Sequence, residues 1–171
     1  IVHSDTESQT SNNVEAEIIE NILESVANIK TTGIVTPHNA QRGLLESTIN
    51  SQTGIDPDID TVERFQGGER ELMVLSTTVS SPDFLESESD FILSPNRLNV
   101  AMSRMEKKLI VVVPESIFEL IPQSPDEYDD AKLWKSLYRR VSSLSGGADW
   151  EGDMSEFVPA IAKSKSDINI S

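Results

Sequence analysis

A polar, glycine-containing loop stands directly before a strongly apolar segment of the chain. Residues 63–70 read Glu-Arg-Phe-Gln-Gly-Gly-Glu-Arg, and the stretch ELMVLSTTV follows at once. A simple connection does not require Gln66, two glycines and Glu69 in succession. The loop is therefore either a generous turn or a ligand site, and the cations Arg64 and Arg70 flank it.

A second group of charged residues lies further along, at Arg97, Arg104, Lys107 and Lys108. Such a cluster is compatible with a phosphate ligand, because Arg and Lys are the side chains that neutralise phosphate. The whole chain has the opposite balance, with 14 Lys and Arg against 29 Asp and Glu, a net charge of −15 and a pI near 4.4. Any phosphate contact must therefore be local.

Helices and strands alternate in the predicted order of elements that would position these residues. Apolar residues at helical spacing predict a helix over 11–29, capped by Asn12 or Asn13: Val14, Ile18, Ile22, Val26 and Ile29. The composition predicts strands at 31–37, 59–62, 71–79 and 107–114, and helices at 38–51 and 94–105. This order predicts an α/β fold, a mostly parallel sheet with helices on both faces.

The C-terminal part has a different character. An amphipathic pattern predicts a helix within residues 122–145, packed on a domain that covers 1–121. Residues 146–171 show little periodicity and are predicted to be a linker and tail. The first residue is not a methionine, which indicates a fragment of a longer protein.

Composition excludes several classes of protein. The chain has no cysteine and only two histidines, so disulfides, thiolate metal sites and imidazole clusters are not expected, and no metal site is predicted. No apolar run is long enough for a membrane span, and the N-terminus lacks the features of a signal peptide. The simplest compartment is cytoplasmic.

Ligand sites of α/β sheets lie at the carboxyl ends of strands. We therefore expect the chemistry after the strand 31–37, around residues 60–69 and in the segment leading to 107–114. The polar residues found there are Pro37, His38, Gln41 and Arg42, then Thr61, Gln66, Gly67, Gly68 and Glu69, then Arg97, Asn99 and Arg104. Each also has a structural explanation: Gln41 and Arg42 as surface helix residues, the glycines as a turn, Arg104 as a helix cap.

Taken together, three segments resemble motifs of superfamily 1 helicases, in their Upf-like and Dna-like branch. GIVTPHNAQR resembles motif IV, DTVERFQGGERELMVLS resembles motif V, and NRLNVAMSRMEKKLIVV resembles motif VI. The resemblance covers roughly residues 12–121. It implies the second RecA-like domain of a helicase motor, with the three-layer fold of P-loop NTPases.

The resemblance also implies roles for individual residues. On the nucleic-acid side, Thr36, Pro37, His38, Thr61 and Gln66 would contact the backbone of single-stranded DNA or RNA, without reading sequence. On the ATP side, Gly67 and Gly68 would let the main chain approach closely, and Glu69 would accept a hydrogen bond from the ribose. Arg104 would reach the terminal phosphate as an arginine finger, and Arg97 would orient the nucleotide-binding segment.

The chain departs from the family pattern in two respects. Met105 and Glu106 follow the finger where the branch has alanine and another arginine. No GxxxxGK[ST] phosphate loop and no acidic strand end for magnesium occur in the chain. ATP with magnesium would then be held mainly by the first RecA-like domain of the same polypeptide, and the isolated chain is predicted to be inactive. The alternative is a non-catalytic α/β interaction module that retains the helicase fold.

Overall fold

A five-stranded parallel sheet is the centre of the structure, a computed structural model that describes residues 1–25, 31–49, 57–65 and 68–144. The strands are β1 (Val2–His3), β2 (Thr32–Thr36), β3 (Asp58–Thr61), β4 (Arg70–Ser76) and β5 (Met105–Pro114). They lie in the order β1-β5-β4-β2-β3, and every adjacent pair is parallel. The predicted parallel α/β sheet is confirmed.

Seven helices connect or cover these strands in the described ranges. They are α1 (Asn13–Ser25), α2 (Asn39–Ile49), α3 (Pro82–Ser87), α4 (Ser89–Ile92), α5 (Pro95–Arg104), α6 (Ser116–Glu119) and α7 (Pro125–Leu144). Asn12 caps α1, because its side-chain oxygen accepts the Glu15 N–H at 3.0 Å. Val26 and Ile29, which were predicted to extend this helix, lie outside the described residues.

Alternate residues of the strands divide the core into two layers. Leu72 and Val74 of β4 pack in one buried cluster with Ile19, Leu23 and other residues of α1 and α2. Met73 and Leu75 face the opposite way, into a second cluster that includes Leu98 of α5. Because a strand turns successive side chains to opposite faces, one strand supplies both clusters. The three-layer, RecA-like arrangement is confirmed.

The connection from β3 to β4 has no helix in its described residues, 62–65 and 68–69. Both strands are parallel to β2, which lies between them, so residues 62–69 must return along the length of the sheet while crossing β2. Phe65 of this connection is buried, and it lies against Gly33 of β2. A Cβ at Gly33 would stand 2.8 Å from the Phe65 ring and 2.7 Å from the Met73 sulfur. A side chain at position 33 would therefore force the Phe65 ring and the Met73 side chain to move.

The two ends of the described chain add to this core. β1 was not predicted, because two residues are too few to show a period, yet Val2 pairs with Val113 and the amino group of Ile1 donates to the Val111 carbonyl at 2.7 Å. In α7, the buried indole N–H of Trp134 donates to the Leu93 carbonyl at 2.9 Å. Residues 146–171 lie outside the described ranges, and the domain boundaries remain a prediction.

Candidate functional site

The polar segments lie at two opposite ends of the sheet. Residues 36–38 and 61 follow β2 and β3, at the carboxyl end of the sheet, whereas Gly68, Glu69 and Arg104 directly precede β4 and β5, at its amino end. The prediction that these segments lie at the carboxyl end is therefore wrong for Gly68, Glu69 and Arg104. β4 has seven residues, so the two ends are about 20 Å apart.

Thr36 and Thr61 end adjacent strands at the carboxyl end of the sheet. They are register partners, and the Thr36 carbonyl accepts the Val62 N–H at 3.1 Å. Thr36 is fully buried, and its hydroxyl lies 2.9 Å from that of Thr78. Thr61 and Pro37 are also buried. In this conformation only His38, of the described residues expected to contact a strand, is partly exposed.

His38 lies between two aromatic rings. Its ring centroid is 5.6 Å from that of Phe91 and 6.5 Å from that of Phe84. Burial lowers the pKa of His38, and the positive charge of Arg97 lowers it further, against the opposing effect of nearby carboxylates. The ring is therefore neutral at pH 7, and its buried Nε2 has no hydrogen-bond partner among the described residues.

Arg97 belongs to the carboxyl end of the sheet and not to the group around Arg104. Its guanidinium carbon lies 3.7 Å from the centroid of the Phe91 ring, and its Nη2 is 3.3 Å from a Glu63 carboxylate oxygen. Arg104 lies seven positions after Arg97 in α5, which is about 10 Å along a helix. The structure thus does not bring Arg97 together with the other residues expected to bind the nucleotide.

The buried carboxylate of Glu15 accepts hydrogen bonds from the residues at the end of β4, at the carboxyl end of the sheet. Both oxygens of Glu15 lie 3.0 Å from the Thr78 amide nitrogen, and the carboxylate also accepts the hydroxyls of Ser76 and Thr77. His3 Nε2 is 3.2 Å away. Thr78 has a φ of 71°, a left-handed conformation that costs a β-branched residue about 1–3 kcal/mol. Fixed hydrogen bonds hold this strained residue against Thr36.

Gln41 is part of the same network, so its interpretation as a surface helix residue is wrong. It is fully buried, its carbonyl oxygen accepts the Asn12 N–H at 2.6 Å, and its amide nitrogen lies 3.1 Å from the Ser76 hydroxyl. Arg42 does lie on the surface, paired with Glu46 and Asp60. Sequence reasoning missed Glu15, Asn12 and Thr78 as parts of the site. The segment Asn12-x-x-Glu15, typical of a capping box, was the available signal.

The amino end of the sheet carries the second group. Gly68 and Glu69 are exposed, and the guanidinium of Arg70 donates to both of their carbonyls at 3.1 Å while pairing with Asp58 at 2.9 Å. Arg70 therefore fixes the loop where it enters β4. Gln66 and Gly67 lie outside the described residues.

Arg104 lies next to this loop. Arg70 and Met105 are register partners on adjacent strands, so the residues that precede them, Glu69 and Arg104, are neighbours. The register between β4 and β5 shifts beyond this pair, an irregularity that commonly re-aims side chains beside active sites. Across the described ranges Arg104 forms no ion pair, and its buried Nε has no hydrogen-bond partner. It does not bind the carbonyls at the end of α5, as a helix cap would.

Two kinds of feature are absent from the described residues. No helix there combines the length and apolar character of a membrane span. No group of three or more potential ligands there could hold a metal ion.

A family model described as an AAA domain matches residues 2–116 of the chain. This range contains both groups of polar residues and all five strands.

Several helicases are similar to the chain. A DNA replication ATP-dependent helicase/nuclease of Arabidopsis thaliana is 32% identical over 65% of the chain and 8% of its own length. A DNA polymerase alpha-associated DNA helicase of Saccharomyces cerevisiae is 36% identical over 56% of the chain and 14% of its own length. A probable RNA helicase of Drosophila melanogaster is 37% identical over 46% and 7%. The chain thus spans only a small part of each relative.

Proposed function

The chain belongs to the AAA-domain family, as a C-terminal RecA-like domain of superfamily 1 helicases, and from this membership we propose that it is a motor domain. Within its full-length protein it would contribute half of an ATP site and half of a groove for single-stranded nucleic acid. ATP would bind between this domain and a first RecA-like domain of the same polypeptide. Closing and reopening of that cleft would move the strand.

The unpaired guanidinium of Arg104 is the observation that carries the proposal. Of the described arginines that are not fully exposed, the other three, Arg42, Arg70 and Arg97, each pair with a carboxylate. A partly buried arginine that stays unpaired beside an exposed, glycine-containing loop suits an anionic ligand. ATP fits this requirement, because its phosphate oxygens would accept hydrogen bonds from the Arg104 guanidinium.

At the amino end of the sheet, the proposed roles follow from position. The main chain at Gly68 has no side chain to hinder an approaching nucleotide, and the Glu69 carboxylate would accept a ribose hydroxyl. Arg104 would contribute positive charge to the terminal phosphate as negative charge develops there. Bound ATP with magnesium supplies the phosphoryl group and its metal, both held mainly by the first motor domain.

At the carboxyl end of the sheet, the strand would meet main chain and His38 more than threonine hydroxyls. Thr36 and Thr61 are buried, so we assign them to holding the ends of β2 and β3 in place. Pro37 is buried as well, so His38, together with Gln66, would face the strand. We propose single-stranded nucleic acid as the ligand class, since the names of the relatives include both DNA and RNA helicases.

Substitution of Arg104 is the sharpest test of the proposed motor function. Arg104→Lys keeps the positive charge but loses the planar fork that can bind two phosphate oxygens. In the full-length protein we expect ATP turnover to fall by about 10³-fold or more, while melting temperature and strand affinity stay near those of the wild type. Steady-state hydrolysis, thermal melting and strand titration on one preparation measure the three quantities.

Arg139→Lys in α7 is the matched control, because it makes the same chemical change at an exposed position far along the chain. It should leave all three quantities unchanged. If Arg104→Lys hydrolyses ATP within a few-fold of the wild type, Arg104 is only a structural residue at the end of α5. A full-length wild-type protein with no ATP turnover would instead favour the non-catalytic interaction module.

A further inference from the structure

The carboxylate of Glu69 is free although two arginines lie beside it. Glu69 is exposed, and its side chain forms no hydrogen bond or ion pair with any residue that the structure describes. Arg70 follows it directly in the chain, and Arg104 is its neighbour across the pairing of β4 with β5. Opposite charges at short range attract each other. A structural reason is therefore needed for the direction that the nearer arginine, Arg70, takes.

Other acceptors already occupy the guanidinium of Arg70. Its Nη2 donates to a carboxylate oxygen of Asp58 at 2.9 Å, and its Nη1 donates to the carbonyl oxygens of Gly68 and Glu69, both at 3.1 Å. One guanidinium thus meets three acceptors, and the Glu69 carboxylate is not among them. Only 21% of the Arg70 side chain is exposed, so solvent screens these contacts less than it screens a fully exposed pair.

The contact between Arg70 and Asp58 spans a whole strand of the sheet. Asp58 belongs to β3 and Arg70 to β4, and β2 lies between them. Strands on either side of a third are about 10 Å apart, so the contact needs a long side chain with open space beneath it. Gly33 of β2 provides that space, because a Cβ there would lie 3.2 Å from Arg70 Cγ. The missing side chain at position 33 thus lets Arg70 cross β2.

Stability alone does not account for this arrangement. Asp58 is 47% exposed, and an ion pair with so exposed a partner stabilises a fold little. The carbonyls of the exposed loop could equally accept hydrogen bonds from water. The contact with Asp58 matters more for direction: the Arg70 guanidinium is already 3.1 Å from the Glu69 carbonyl oxygen, so the carboxylate of that residue is within its reach. Without Asp58, Arg70 would be attracted to the Glu69 carboxylate.

We propose that Asp58 is a positioning residue for nucleotide binding: by holding Arg70 across β2, it keeps the Glu69 carboxylate free to accept a ribose hydroxyl. The inference rests on the proposed function, in which Glu69 contacts the ribose of ATP. Asp58 itself would touch neither the ribose nor the phosphates. It would determine how well the site selects a nucleotide with an intact ribose, and it would leave the phosphoryl transfer step unchanged.

Nucleotides that lack a ribose hydroxyl test this proposal. KM and kcat of the full-length protein are measured with ATP, 2′-deoxy-ATP and 3′-deoxy-ATP. We expect at least one of the two analogues to have a KM about 10-fold above that of ATP, because it leaves Glu69 without its hydrogen bond. Asp58→Asn should raise the KM for ATP about 5-fold. It should leave kcat and the KM for that analogue unchanged, since only binding of the hydroxyl is affected.

A second substitution separates this role from a merely structural one. Asp58→Asn leaves Arg70 free to pair with Glu69, whereas Arg70→Gln removes the competing cation altogether. The double variant should therefore regain the wild-type preference for ATP over the analogue to within about 2-fold. If Asp58 only stabilised the local structure, the second substitution would add to the damage instead of reversing it.

Glu46→Gln is the matched control, because it removes a carboxylate that pairs with Arg42 at a similar exposure, 42% against 47% for Asp58. It should leave every KM unchanged. If Asp58→Asn discriminates as the wild type does, or if the double variant stays as unselective as Asp58→Asn, the inference is overturned while the proposed function stands. A wild type that treats ATP and both analogues alike overturns the proposed ribose contact, and the inference with it.

Discussion

Glu15 shows how one buried side chain determines the local shape of a site. Its carboxylate receives the amide of Thr78 and two hydroxyls, and so holds a β-branched residue at a φ of 71°. A buried carboxylate with several donors is stable only while those donors remain in place. We infer that Glu15 and the strained Thr78 maintain each other.

Glu15→Gln is expected to destabilise the chain by about 2–3 kcal/mol. Glutamine has one acceptor oxygen instead of two. Its NH₂ group is a donor and would face the Thr78 N–H, which is also a donor. Glu17→Gln is the matched control, because it makes the same change two residues later on the exposed side of α1. Chemical unfolding of the chain compares the two, and equal midpoints would contradict a supporting role for Glu15.

The sequence pointed to candidate residues for the chemistry but not to all the residues that position them. Gln66, Glu69 and Arg104 stand out because their types and spacing are visible along the chain. Glu15 and Thr78 are 63 residues apart, and no local pattern connects them. Gln41 looked like a surface residue since its helix is amphipathic, yet long-range hydrogen bonds bury it.

The connection between β3 and β4 is the element that links the two ends of the sheet. It begins at Thr61, at the carboxyl end, and reaches Gly68 and Glu69 at the amino end without a helix. Its path depends on the close packing of Phe65 on Gly33. A change at Gly33 should therefore disturb both proposed sites through one segment.

Gly33→Ala tests this dependence. The added Cβ would lie under 3.0 Å from both Phe65 and Met73, so we expect a loss of about 1–3 kcal/mol in stability. Gly43→Ala is the control, because nothing lies within 4 Å of its added Cβ and alanine favours a helix by up to about 1 kcal/mol. Unfolding midpoints of the two variants should move in opposite directions. A Gly33→Ala chain as stable as the wild type would rule out the tight crossing.

The direction of each element explains why sequence reasoning placed the sites incorrectly. The alternation of helices and strands predicts a parallel sheet, and the general rule then directs attention to the carboxyl ends of strands. Arg104 ends a helix that leads into a strand, so it necessarily lies at an amino end. The sequence already predicted a helix followed directly by a strand at this point. That order was enough to place Arg104 at the amino end of the sheet.

At the scale of the whole molecule, the two proposed sites lie at opposite ends of one sheet. The amino end of the sheet would face ATP and the first motor domain, while the carboxyl end would face the strand. The residues at the amino end precede β4 and β5, and those at the carboxyl end belong to or follow β2 and β3, strands of the same sheet. A rigid-body movement of the domain would therefore couple ATP binding and hydrolysis to the position of the domain along the single-stranded nucleic acid.

The net charge of −15 limits how the isolated chain can bind nucleic acid. At the carboxyl end of the sheet Arg42 and Arg97 are already paired with carboxylates, which leaves Arg64 as the free cation among the described residues there. We expect weak binding of single strands, with affinity falling by a slope of roughly −1 in log affinity against log salt. Arg64→Gln should flatten this slope further, whereas Arg139→Gln in α7 should not. Titrations at three or more salt concentrations measure it, and tight binding that collapses steeply with salt would show that the strand lies on a different, more basic surface.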